Sequence, residues 1–206
     1  MKKILVLFAH PRTDRSEANV VLAEVPQRHP AVTFVDLYAE YPTFEIDVER
    51  EQERLREHDV LVFHHPVYWY SSPAILKEWQ DLVLEYGFAY GSEGRALEGK
   101  LFVSAVTTGG RREVYCRTGV NRFELRELFA PFEQTMYLCR MRYLPPFALF
   151  AAGHARDEQR LDEHVRDYQR LLDALADDRL DVAGAADRLT LSDGLDELIT
   201  PAAGAV

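Results

Sequence analysis

The sequence predicts an α/β fold in which a parallel sheet is covered by helices on both faces. Two patterns carry that expectation. Short, near-continuous runs of branched apolar residues recur along the chain, as strands buried on both faces require. Segments with apolar residues at three- and four-residue steps lie between them. Strands that alternate with helices imply right-handed crossovers, and hence strands that run parallel in one sheet.

The first strand is predicted over residues 3–9 (KILVLFA), where polar turn residues end the apolar run. Residues 32–37, 60–64 and 101–106 supply three more, and 141–144 a weaker fifth. All are short and rich in side chains that suit a pleated surface. Ser16 can cap a first helix that runs through Ala18, Val21, Leu22 and Val25. The acidic segment 48–58 fits a second helix. A third begins after Pro73, a residue tolerated in a first turn, and carries Ile75, Leu76, Trp79, Leu82 and Val83 on one side. The fourth spans 123–138, with Pro131 marking a break or kink. The last, 157–175, places Leu161, Val165, Tyr168, Leu172 and Leu175 on one face, which should pack on the sheet.

A chain of 206 residues suits one domain, here drawn at 1–175 and followed by an acidic tail, 176–206. The tail holds about half of the net charge of −10, and also Leu189, Leu191, Leu195, Leu198 and Ile199. It either stays partly disordered or docks an apolar strip onto a neighbour. Hydrophobic residues make up 47% and charged residues 28%, a globular balance, and no run approaches the roughly 18 apolar residues of a membrane span. The start of the chain has the basic and apolar order of a signal peptide, but the apolar part ends at Ala9 and no small-residue cleavage pattern follows. A cytoplasmic protein is the expectation. Its acidity argues against a nucleic-acid partner, since binding a phosphate backbone needs a basic surface. Cys116 and Cys139 are far apart and lack metal or redox spacing, so idle thiols are expected.

In such sheets ligands bind beyond the carboxyl ends of the strands, so the loops after the first, third and fourth strands should face one site. The first loop, with His10, Arg12, Arg15, Ser16, Glu17, Ala18 and Asn19, leads into a helix N-terminus, where free amides, a hydroxyl and arginine favour a phosphate. Neither GxGxxG nor GxxxxGK[ST] is present, which removes the usual warrant for a Rossmann site or a P-loop. The loop after the third strand holds Val67, Tyr68, Trp69 and Tyr70 between two prolines. Aromatic rings and free amides on a rigid turn suit a flat heteroaromatic ring, although a purely structural cluster is the competing reading. His64 and His65 are adjacent on a strand and point to opposite faces, so no metal is expected there. In the fourth loop, Thr107-Thr108-Gly109-Gly110, paired glycines let a ligand approach the main chain closely, as would also be true of a simple turn.

These residues resemble the flavodoxin-like NAD(P)H:quinone oxidoreductases, and within them the ancillary (KefF/KefG-like) subunits of bacterial glutathione-regulated potassium-efflux systems. The resemblance rests on AHP at 9–11, SEAN at 16–19, DLYAEYPTFEIDVEREQ at 36–52, FHHPVYWYSSPAILKEWQD at 63–81, GFAYGSEGRALEGK at 87–100, AVTTGG at 105–110 and YLPPFA at 143–148. It covers about the first 175 residues and not the tail. It implies a three-layer flavodoxin-like sandwich with a five-stranded parallel sheet in the order 2-1-3-4-5.

It further implies FMN, with FAD as the option seen in longer members. His10, Ser16, Glu17, Ala18 and Asn19 would lie by the phosphate and ribityl chain. Val67, Tyr68, Trp69 and Tyr70 would lie by the ring, and Thr107, Thr108, Gly109 and Gly110 by its pyrimidine edge. In the quinone reductases a Tyr and a His follow the glycines and stand over the hydride-transfer site. Tyr115 matches the Tyr, but Asn121 stands where the His would be. An amide cannot hold a proton near neutral pH, so a proton relay there is in doubt. The implied catalytic set is therefore Tyr115, Asn121, Gly109 and Gly110, serving a ping-pong transfer from NADH or NADPH through the flavin to a quinone-like acceptor. A homodimer is also implied. A regulatory subunit that docks on a potassium/proton antiporter is the main alternative, and a one-electron carrier a weaker one.

Overall fold

The computed structural model describes residues 1–201. Along the chain run β1 Ile4–Phe8, α1 Ala18–Arg28, β2 Val32–Asp36, α2 Leu37–Glu40, α3 Val48–Glu57, β3 Val60–Pro66, α4 Ala74–Val83 and β4 Leu101–Thr107. They are followed by α5 Leu125–Leu128, α6 Ala130–Leu138, β5 Arg142–Tyr143, β6 Phe147–Leu149, α7 Arg160–Ala176, α8 Val182–Ala185 and α9 Leu195–Leu198. The five predicted strands pair in parallel in the expected order, β2-β1-β3-β4-β5.

β1, β3 and β4 are buried along their whole lengths, which is why each reads as a near-continuous apolar run. Their alternate side chains serve two cores. Leu5, Leu7, Leu61, Phe63 and Phe102 pack with α3, α4 and α6 on one face. Ile4, Val6, Val60, Val62 and Val103 pack with α1 and α7 on the other. His64 and His65 obey the same alternation: His64 stands edge-on to Phe8 and Tyr168, while His65 stacks on Phe129.

Local chemistry sets the helix ends. The Ser16 hydroxyl accepts from the Asn19 N–H at 3.3 Å and so caps α1. Asp47 caps α3 through the Arg50 N–H, and Lys100 closes its far end by donating to the carbonyls of Leu55, Arg56 and His58. The predicted helix 123–138 is two helices that part at Phe129, because Pro131 lacks the N–H that a continuous helix would need.

The sheet has one strand more than the sequence predicts. β5 and β6 both pair with β4, and Leu144-Pro145-Pro146 separates them. Two prolines cannot donate to a ladder, so they split what would be one edge strand into two short pieces. The segment after α7 folds back, burying Leu180, Ala185, Leu191, Leu195 and Leu198 in the core under α1 and α7. Of the predicted tail, residues 202–206 lie outside the described residues. At the other end of the chain the Lys2 N–H donates to the Ala176 carbonyl at 2.7 Å. Among the described residues no helix is long and apolar enough to cross a membrane.

A fully buried carboxylate, Glu51, ties α3 to its surroundings. It accepts from the Tyr41 hydroxyl at 2.7 Å and from Trp79 Nε1 at 2.9 Å, and it pairs with Arg54. Glu51→Ala leaves two buried donors without their acceptor and removes the nearer of the two carboxylates that Arg54 pairs with, so unfolding in urea should show a loss of about 3–5 kcal/mol. Burial also holds His64 and His164 down to about 3 and His65 to about 4, all neutral in the fold. Unfolded histidine titrates near 6.5, so their contribution to stability is complete above that pH and is lost as pH falls from there toward 4 for His65 and toward 3 for His64 and His164. At pH 5 unfolding should take up about three protons through these rings, read from the slope of unfolding free energy against pH. His164→Leu should remove about one of them.

Candidate functional site

Backbone hydrogen bonds carry the sheet ladder one step past the strand ends. The Ala9 N–H donates to the His64 carbonyl at 2.9 Å, Val67 to Thr107 at 2.8 Å, and Thr108 to Leu149 at 2.9 Å. The loops that follow β1, β3 and β4 therefore start side by side at the carboxyl edge, where an open parallel sheet has its crevice. Together they enclose a cleft of about 690 Å³.

The first loop contributes His10, Ser16, Glu17, Ala18 and Asn19 to its wall, the second Val67 and Tyr68, and the third Thr107, Thr108 and Gly109. Trp69, Tyr70, Gly110, Tyr115 and Asn121 do not line it. Tyr115 is buried against Phe150, and the Tyr70 hydroxyl reaches Asn121 Oδ1 at 3.4 Å, a bond between the second and third loops. Arg12 and Arg15 line the cleft as well, and so do Ala152 and Gly153 from a fourth loop after β6. That fourth loop is tied to the third by the Ala151 and Ala152 N–H groups, which donate to Gly110 and Thr108. Sequence reasoning missed Ala152 and Gly153 because they follow the strand it missed; the YLPPFA stretch just before them was the only pointer.

The first loop presents donors. His10 Nδ1 accepts from the Arg12 N–H at 3.1 Å, which leaves the ring proton on Nε2. Burial lowers the His10 pKa, against the opposing pull of Asp36 and Asp14, so the ring is a neutral donor. Arg12 is engaged by Asp14 at 2.8 Å, whereas Arg15 has no ion pair among the described residues. The first amides of α1 have no intrahelical acceptor. Asn19 is buried, donates to Thr107 Oγ1 at 2.9 Å, and has no partner for its Oδ1. Its free acceptor calls for a donor from outside the chain.

The two glycines of the third loop have different causes. A Cβ on Gly110 would come within 2.9 Å of Val114 and 3.1 Å of the Tyr115 ring, so protein packing demands that glycine. A Cβ on Gly109 would meet nothing within 4 Å, and its backbone is not in the left-handed region. The folded chain itself places no demand for glycine at 109, and the space in front of it is the cleft. The second loop carries strain. Trp69 and Tyr70 have φ of 48° and 64°, and Tyr68 and Ser71 exchange two hydrogen bonds of 3.0 Å across them. This is the pattern of a type I′ turn, which Asn-Gly fills most easily. Two aromatic residues in such a conformation cost about 1–3 kcal/mol each, a strain that clusters at functional sites.

A family profile described as the flavodoxin-like fold matches residues 2–172. The chain belongs to this flavodoxin-like family. Glutathione-regulated potassium-efflux system ancillary protein KefG from Enterobacter sp. (strain 638) is 45% identical over 166 residues, covering 81% of this chain and 90% of that one. The general stress protein 14 of Treponema denticola, solved in complex with FMN, is 38% identical with a TM-score of 0.79, covering 84% of this chain and 99% of its own. An NADPH-quinone reductase from P. pentosaceus is 30% identical with a TM-score of 0.74, covering 82% and 96%. An anion site followed by an unpaired acceptor and an open main-chain wall fits a phosphate, a hydroxylated chain and a flat ring in that order, so these residues fit a flavin mononucleotide.

Gly109→Val should fold with an unchanged melting temperature, since no protein atom opposes the side chain. It should lose binding of added FMN by at least about 100-fold, the order expected when a branched side chain fills a tight pocket. Fluorescence titration with FMN measures the loss, and full affinity would remove this loop from the site.

Proposed function

We propose that this flavodoxin-like chain is an NAD(P)H:quinone oxidoreductase that holds FMN in the cleft and works as a cytoplasmic homodimer. The observation that carries the reading is Gly109, a glycine that neither backbone strain nor packing requires and that faces the space where three loops meet. Ser16, Arg15 and the first amides of α1 would hold the phosphate. Asn19 Oδ1 would accept from the sugar-alcohol chain, and Val67, Tyr68, Thr107, Thr108 and Gly109 would flank the ring. The FMN complex of a protein 38% identical, and the name of the NADPH-quinone reductase 30% identical, support this choice of cofactor and acceptor.

Bound there, FMN would take a hydride from a reduced nicotinamide and give two electrons to a quinone in alternate half-reactions. The chain's own part is to bind, orient and exclude water. The main-chain amide of Gly109, the glycine that faces the cleft, would stabilise negative charge on the ring's pyrimidine side. Burial pushes the Tyr115 hydroxyl pKa up, so it remains a hydrogen-bond donor at neutral pH, and Asn121 can donate but not titrate. On this reading neither residue shuttles protons, and the acceptor draws them from solvent. Trp69, 93% exposed, and Tyr86 offer apolar surface suited to a twofold partner.

A second reading is favoured by one observation, the 45% identity to an ancillary protein of a potassium-efflux system. In it the flavin fold serves mainly as a regulatory subunit on the cytoplasmic face of an antiporter. The purified protein should be yellow, release FMN, oxidise NADH or NADPH with a quinone, and give parallel double-reciprocal plots, the mark of a ping-pong scheme. Colourless protein that takes up no FMN would sink the enzyme. Flavin retention without turnover, with capture by an antiporter's cytoplasmic domain, would move it to the second reading.

A further inference from the structure

Residues 177–200 lie beyond the part of the chain that the family profile matches, 2–172, and no residue among them lines the cleft, yet they bond to β6 and to the glycine loop behind it. Leu191 and Thr190 are buried, and the Leu191 N–H donates to the Pro146 carbonyl at 2.9 Å. The next residue, Ser192, uses its hydroxyl twice on one backbone unit of β6, accepting from the Ala148 N–H at 2.7 Å and donating to the Ala148 carbonyl at 2.9 Å. The open edge of β6 is thus closed by side-chain and main-chain bonds from this segment. One residue further, both carboxylate oxygens of Asp193 take the two terminal nitrogens of Arg112.

Arg112 belongs to the loop that presents Gly109 to the cleft and carries Gly110 and Tyr115. Its guanidinium also lies over the Phe150 ring at 5.6 Å. Asp193 is itself held in place, since the Thr190 hydroxyl donates to it at 2.7 Å. Behind it, Arg126 donates to the carbonyls of Ala186 and Arg188, which fixes the segment to α5. A bidentate guanidinium–carboxylate pair has directional preference that a single contact lacks, so it restricts the loop in angle as well as in distance.

We propose that this segment is a strap, and that Asp193, acting through Arg112, is a positioning residue that sets the conformation of the glycine loop for ligand binding. The strap rests on the flavin reading above only for the identity of the ligand. It stabilises the one arrangement of residues 109–115 in which Gly109 faces the cleft, and it couples the sheet edge to that arrangement. Another pair made by the same segment, Arg170 with Asp196, lies on α7 and involves neither the glycine loop nor a residue of the cleft wall. It provides the control.

The test compares the full chain with Asp193→Ala, Arg112→Ala, Asp196→Ala and the charge-exchanged pair Arg112→Asp with Asp193→Arg. Amide hydrogen exchange is read first, without ligand. Asp193→Ala and Arg112→Ala should speed exchange in residues 109–115 while leaving 10–19 and 67–70 unchanged, and Asp196→Ala should leave all three loops unchanged. FMN titration is read second. The two alanine variants should bind about fivefold more weakly, as expected from losing one partly exposed ion pair, and the exchanged pair should recover most of the affinity. Unchanged exchange in 109–115, or equal loosening by Asp196→Ala, would overturn the strap. A full chain that binds no FMN tells against the flavin reading, and the exchange result still decides the strap.

Discussion

Everything at the carboxyl edge depends on the register of a parallel ladder that does not stop where the strands do. Three N–H groups, those of Ala9, Val67 and Thr108, continue the pairing into the loops and hold their first residues level. Shifting any one strand by a residue would exchange its two faces and also move its loop off the rim. The fully buried strands β1, β3 and β4 resist that shift, because each carries one core on either side. Packing deep in the sheet is therefore what aligns polar groups such as Asn19 and Thr107, which are 88 residues apart in sequence.

The same division explains what could be read from the residues alone. Strands buried on both faces announce themselves as apolar runs, so their number was short by one only at the edge. β6 has three residues, follows two prolines, and pairs on one side with β4, so it lacks both the length and the pattern that made the others legible. The strand's loss hid Ala152 and Gly153 with it. The turn at Trp69-Tyr70 carries none of the Asn-Gly chemistry that usually marks its type, and its strain is visible only in dihedral angles. Residues 177–200 were opaque for another reason. Their leucines are spaced by acidic residues, and only three-dimensional proximity shows that Arg112, Arg170 and Arg188 neutralise Asp193, Asp196 and Glu197.

Charge is distributed with a similar economy. The chain is strongly acidic, yet the wall of the cleft begins with Arg12 and Arg15 at a helix N-terminus. Asp14 and Glu17 balance these two charges overall, so a small anion is drawn at close range by Arg15, unpaired among the described residues, and by the first amides of α1, and the surrounding acidic surface repels polyanions. Buried histidines add no charge to this balance, since their rings are neutral in the fold.

The bond from Lys2 to Ala176 joins the first strand to the end of the longest helix. β1 and β3 lie in the first third of the chain, but the α7 helix that helps cover one of their faces leaves the ribosome about a hundred residues later. During that interval α1 alone covers that face, part of Ile4, Val6, Val60 and Val62 stays open to water, and the nascent sheet offers a greasy surface to chaperones and to other unfinished chains. Vectorial synthesis therefore makes α7, with the segment that follows it, the late-placed keystone of a domain whose centre was laid down first.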